Sequence, residues 1–107
     1  MIKGKDKEFE LFKNILHGDI VAMKEFYDYY SGLLAAICSR YIKNRDDVKD
    51  VLQESFIKIF NSINKFEYRG VGSLKAWATR IVVNESLKYV RENEKLDLIV
   101  PTDDFPD

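Results

Sequence analysis

The chain has 107 residues, 46% of them apolar, enough for one hydrophobic core and too few for two domains. One cysteine (Cys38) and one histidine (His17) exclude an internal disulfide and any cysteine-based metal cluster. A formal net charge of −1 argues against a protein that holds duplex DNA by bulk electrostatics alone.

The charge is nonetheless unevenly spread: residues 1–45 carry +2, residues 46–64 carry −2, residues 65–96 carry +3 and residues 97–107 carry −4. The opening MIKGKDKEFELF is charged throughout, unlike a signal peptide, and no apolar run approaches membrane-spanning length. With its lone cysteine set in the apolar run LLAAICSRY, the chain fits a soluble protein of a reducing, cytoplasmic compartment. Both prolines lie in the closing stretch LDLIVPTDDFPD, so residues 1–96 contain none to interrupt a helix.

A first helix is expected over residues 6–16, ended at His17-Gly18 by a left-handed glycine, with Asp19 capping the next. Residues 20–43 carry Val21, Met23, Phe26, Tyr27, Tyr30, Leu33, Leu34, Ile37, Cys38 and Tyr41 on a broad helical stripe, with a bend expected at Ser31-Gly32. Asn44 or Asp46 then caps a third helix running to about Asn64. Its residues Val48, Val51, Leu52, Phe56, Ile59 and Ile63 form one apolar stripe, and Asp50, Gln53, Glu54, Ile57, Lys58 and Asn61 stand opposite. The loop KFEYRGVGS follows, and Ser73 is the expected cap of the last long helix. RIVV at residues 80–83 favours a strand in isolation but sits inside a longer helical pattern. Residues 1–96 therefore read as one helical domain. Residues 97–107 read as an acidic linker stub or disordered tail.

Catalytic chemistry finds little support. His17 has no cysteine or carboxylate pair at ligand spacing, Cys38 has no partner histidine, and YRGVGS lacks the Gly-Lys-Ser or Gly-Lys-Thr that closes a phosphate-binding loop. No catalytic group, metal or cofactor is expected. The last helix is more informative. At 100° per residue, Trp77, Arg80, Asn84, Lys88, Arg91 and Lys95 share one narrow sector, with Leu74, Ala78, Ile81, Val82 and Tyr89 on one flank and Val83, Leu87 and Val90 on the other. An aromatic, an amide and cations along one ridge suit a single-stranded nucleic acid, whose bases stack and whose phosphates need positive charge. The same spacing also fits a core tryptophan beside solvated cations.

Together these segments resemble region 2 of a bacterial sigma factor of the extracytoplasmic-function group. DVLQESFIKIF at residues 50–60 resembles region 2.2, KAWATRIVVNESLKYVR at residues 75–91 resembles regions 2.3 and 2.4, and HGDIVAMKEFYDYY resembles the family's entry. The fold implied is an all-α compact bundle of three to five helices. The function implied is that of a transcription initiation factor domain without enzymatic activity. Asp50, Gln53, Glu54 and Ile57 would dock on a basic coiled coil of the largest subunit of RNA polymerase core. The loop from Phe66 to Ser73, through Tyr68 and Arg69, would with Asn84 accept a base flipped from the non-template strand of the minus-ten promoter DNA. Trp77, Arg80, Lys88 and Arg91 would complete the DNA-binding ridge, and an anti-sigma regulator is a further implied partner. Family members carry a second helical domain, so a fragment of a longer protein is expected. Two other readings stay open: a helical interaction module such as an anti-sigma target, and a duplex-binding helix-turn-helix protein, for which the loop is too long a connection.

Overall fold

A computed structural model describes the backbone of residues 3–104 and the side chains of residues 7–93. Four helices follow one another with no strand among the described residues: α1 (Lys3–Leu16), α2 (Ile20–Cys38), α3 (Arg45–Ser62) and α4 (Ser73–Asp104). A 3₁₀ turn, Ile63–Lys65, closes α3. The all-helical bundle expected from the sequence is the architecture observed.

Local chemistry sets the first two junctions as expected. Gly18 sits at φ +81° and donates its N–H to the Ile15 carbonyl at 2.9 Å, which ends α1. Asp19 Oδ1 accepts from the amides of Val21 and Ala22 at 2.9 and 3.3 Å, starting α2. Of the two candidate caps for α3, Asn44 serves, accepting from the Asp47 amide at 3.1 Å.

Four boundaries differ from expectation, the first being the start of α1, at Lys3 rather than residue 6. The central helix passes Ser31-Gly32 without a break and ends at Cys38 rather than near Lys43. There the Ser39 and Ile42 amides reach back to Ala35 and Cys38, a turn that brings Ile42 into the core. Ser73 does not cap α4 from outside but is its first residue. The last helix runs past Leu96 to Asp104, over residues read as a linker stub; no glycine or proline stands between Ser73 and Val100, and Pro101 lies within its last turn. The side chain of Lys95 and residues 105–107 lie outside the described residues.

The core is built from one ridge per helix. Leu11, Phe12 and Ile15 come from α1, and Ala22, Phe26, Tyr30, Leu34 and Cys38, each four residues apart, from α2. Val48, Val51, Leu52, Phe56 and Ile59 of α3 are all buried as their periodicity predicts, and so is Ile63 just beyond. Leu74, Ala78 and Val82 of α4 are wholly enclosed. Phe26 packs edge-on to Phe56 and Phe60 at centroid distances of 6.0 and 5.7 Å, locking α2 to α3. The α2 stripe is narrower than expected, for Val21, Tyr27, Leu33 and Tyr41 are exposed. On α4 the second expected flank is not buried either: Leu87 faces solvent and Val83 and Val90 are only partly covered. Cys38 is a free, buried core thiol.

Candidate functional site

The loop between α3 and α4 is folded by its own hydrogen bonds. Ser73 Oγ accepts from the Arg69 amide at 3.0 Å and donates to the Gly70 carbonyl at 2.7 Å, pinning the loop back on itself. Gly72 takes φ +89°, a backbone conformation that side chains strain. Phe66 turns inward and stacks on Trp77, centroids 4.8 Å apart and planes 30° from parallel.

Both rings line an open groove of about 530 Å³, together with Lys65, Glu67, Arg69, Ser73, Ala76 and Arg80. The structure thus brings Arg69, Trp77 and Arg80 together. Asn84, also exposed, lies one turn beyond Arg80, outside the groove lining. Arg69 is exposed and paired with Glu67 at 2.8 Å. Such a pair is weak in water, so the guanidinium is easily recruited by a phosphate. Lys65 and Ala76 are groove residues that the sequence reading did not place in the pocket.

Tyr68 is placed differently from Arg69. Its ring lies against Phe12 (5.5 Å, 21°) and Phe9 (5.0 Å), and its hydroxyl donates to Glu8 Oε1 at 2.9 Å. It points away from the groove, into the seam with α1. Burial, then the hydrogen bond to Glu8 and its charge, push the phenol up to about 12. Glu8 itself is only 5% exposed. Besides Tyr68 it accepts from the amides of Gly72 (2.8 Å, to Oε1) and Lys75 (3.2 Å, to Oε2), so α4 is capped by a carboxylate from α1. Sequence reasoning missed Glu8, although it stands three, four and seven residues before Leu11, Phe12 and Ile15 and so shares their buried face.

On α3, Asp50, Gln53, Glu54 and Ile57 are exposed on one face, and Ile57 keeps 49% of its surface in solvent. One side of this face opens into a mostly apolar groove lined by Tyr27, Leu52, Phe56, Ile57 and Phe60, with Lys49 and Gln53 at its polar edge. The other side opens into a groove shared with α4, where Asp50 and Glu54 meet Glu85, Lys88, Tyr89 and Glu92. Lys88 therefore stands in an acidic cleft against α3 rather than beside Arg69 and the loop. Lys58 pairs with Glu85 at 2.7 Å, and the hydrogen bond and charge of Glu85 raise its pKa above the ordinary lysine value. The Tyr89 phenol is raised as well, first by its hydrogen bond to Asp47. Arg91 is exposed further along α4.

No group of histidine, cysteine and carboxylate side chains among the described residues is arranged to hold a metal ion. No described helix is long and apolar enough to cross a membrane.

A family model described as Sigma-70 region 2 matches residues 26–96, spanning most of α2, all of α3, the loop and most of α4. The chain belongs to the sigma-70 region 2 family. Among curated relatives, this region 2 domain is 36% identical over 80 residues to an ECF RNA polymerase sigma-E factor of Haemophilus influenzae, covering 75% of the chain and 41% of that protein. It is 34% identical over 80 residues to the ECF RNA polymerase sigma-E factor of Escherichia coli K12, covering 75% of the chain and 40% of that protein. The chain thus spans about two fifths of the length of these relatives. Its fold is similar, with a TM-score of 0.74 and 27% identity, to an engineered region 2 of sigmaE whose NMR structure was solved in complex with GTAAAA. That match covers 89% of this chain and 96% of the other.

Proposed function

We propose that this region 2 domain acts in transcription initiation by docking on RNA polymerase core through α3 and holding an unstacked base of the minus-ten non-template strand in the loop groove. The observation that carries the reading is the groove itself. Two aromatic rings, Phe66 and Trp77, and two cations, Arg69 and Arg80, line one groove, on a fold like that of a region 2 in complex with GTAAAA.

Taking a base out of the duplex costs a few kcal/mol, and stacking on an aromatic floor returns part of that while cations neutralise the flanking phosphates. Arg69 and Arg80 supply those cations, with Arg91 further along α4. Asn84, an exposed amide one turn beyond, supplies the base-edge contact. Lys88, set among Asp50, Glu54, Glu85 and Glu92, balances local charge more than it meets phosphate.

Docking uses different chemistry. Asp50 and Glu54 present carboxylates and Gln53 an amide oxygen to a basic partner, while Ile57 and the apolar groove beside it supply a dry centre. The partner is the basic coiled coil of the largest polymerase subunit. An anti-sigma regulator would cover the same face. The work is binding rather than catalysis, and its place is the bacterial cytoplasm.

A pull-down of purified core polymerase with the 107-residue chain tests the docking half of the reading. Retention of polymerase supports it, and none at low salt rejects it.

A further inference from the structure

We infer that Glu8 of α1 is the positioning residue for base selection, holding the shape of the 66–73 loop from outside the segment that carries the groove; this rests on the reading of the groove given above. Glu8 lies before the family match begins at residue 26, so its role is not part of that match. Its carboxylate joins three points of the recognition segment: the Tyr68 hydroxyl in the loop, the Gly72 amide at its end and the Lys75 amide in the first turn of α4.

Those three points bracket Arg69 and end two residues before Trp77, so their positions fix where these groove-lining residues stand. A carboxylate suits the task. Oε1 receives a hydroxyl and an amide, Oε2 receives a second amide, and the negative charge faces the positive end of the α4 dipole. No cation pairs with Glu8 among the described ion pairs, and the neutral donors with the helix end satisfy it instead. Tyr68 belongs to the same device. With its hydroxyl on Glu8 and its ring on Phe12, it acts as a strut that holds the loop against α1 rather than as a reader of the base.

A Gln at position 8 keeps one acceptor oxygen but turns an N–H₂ toward one set of donors, whereas Ala leaves the Gly72 and Lys75 amides without their partner. Loss of loop shape costs discrimination first, because stacking and phosphate contacts tolerate a displaced floor and base-edge contacts do not.

The experiment compares the unmutated chain, Glu8→Gln, Glu8→Ala and Tyr68→Phe. It follows Trp77 fluorescence during titration with single-stranded GTAAAA and with a scrambled hexamer, and amide hydrogen exchange without nucleic acid. Glu8→Ala should lower the affinity ratio of the two strands about tenfold, a change of roughly 1.4 kcal/mol in selectivity, while scrambled-strand affinity stays near its starting value. Glu8→Gln and Tyr68→Phe should fall between it and the unmutated chain. Exchange at Gly72 and Lys75 should accelerate in both Glu8 variants, with Val51 and Leu52 of α3 unaffected.

An unchanged strand ratio in Glu8→Ala, or unchanged exchange at Gly72 and Lys75, would overturn the inference. So would accelerated exchange throughout the core, which would make Glu8 a general stability element. If the unmutated chain itself fails to bind any strand, the reading of the groove falls, and with it the role of Glu8 in selection; accelerated exchange at Gly72 and Lys75 alone would then mark Glu8 as a helix cap and nothing more.

Discussion

Glu8 and Tyr68, 60 positions apart in the chain, are joined by a 2.9 Å hydrogen bond from the phenol to the carboxylate. This contact makes the loop before α4 depend on α1. It also couples the loop to pH. The Tyr68 phenol, with an ordinary value of 10.0, is held at about 12 in the fold, so the folded state keeps its proton where the unfolded chain has lost it. The resulting stability is fully present below pH 10 and declines as pH rises through about 12. Chemical denaturation at rising pH should show that decline in the unmutated chain and a shallower one in Tyr68→Phe. Tyr30, raised by burial and by the charge of Glu8, adds to the slope in both.

Phe56 is 4% exposed and Ile59 wholly buried, both on the inward face of α3. Alanine at either position should cost about 2 to 5 kcal/mol, since the transfer and cavity terms add. Urea unfolding followed by circular dichroism measures it, and surface-like tolerance at both sites would mean that α3 is turned the other way.

Asp50→Lys with Glu54→Lys should abolish retention of core polymerase and leave helical content intact, because both side chains are exposed and neither belongs to the core ridge. Undiminished retention would place the docking surface elsewhere.

Substitutions on α4 should separate by position. Arg80→Ala, at the groove, should weaken binding to all single strands and flatten the salt dependence by removing a phosphate contact. Asn84→Ala should relax sequence preference instead. Lys88→Ala, in the acidic cleft, should change strand binding least. Fluorescence titrations at two salt concentrations distinguish the three.

The inward face of α3 was legible in the sequence because six apolar residues recur at helical spacing without interruption, and all six are buried. Asp19 was legible, and Asn44 as one of two candidates, because capping is local chemistry, decided within three residues of the cap. What the sequence did not display is whatever depends on a neighbour distant in the chain. Lys88 shares a helical sector with Trp77, yet the approach of α3 puts it in an acidic cleft. Tyr68 adjoins Arg69 in the loop, yet α1 draws it inward. The cap of α4 could not be read from its flanking residues because Glu8 comes from another helix and binds backbone amides, which every sequence carries alike.

The central claim is that the groove selects an unstacked base, and the most direct measurement is the affinity of the unmutated chain for one sequence in two forms. Trp77, the only tryptophan, stands in the groove and reports occupancy without a label. Titration with single-stranded GTAAAA should change its emission with weak, salt-sensitive affinity, while the matching duplex should give little or no change, because a net charge of −1 gives little bulk attraction for a duplex whose bases remain stacked. Equal affinity for the two forms would contradict the account and favour a duplex-binding protein.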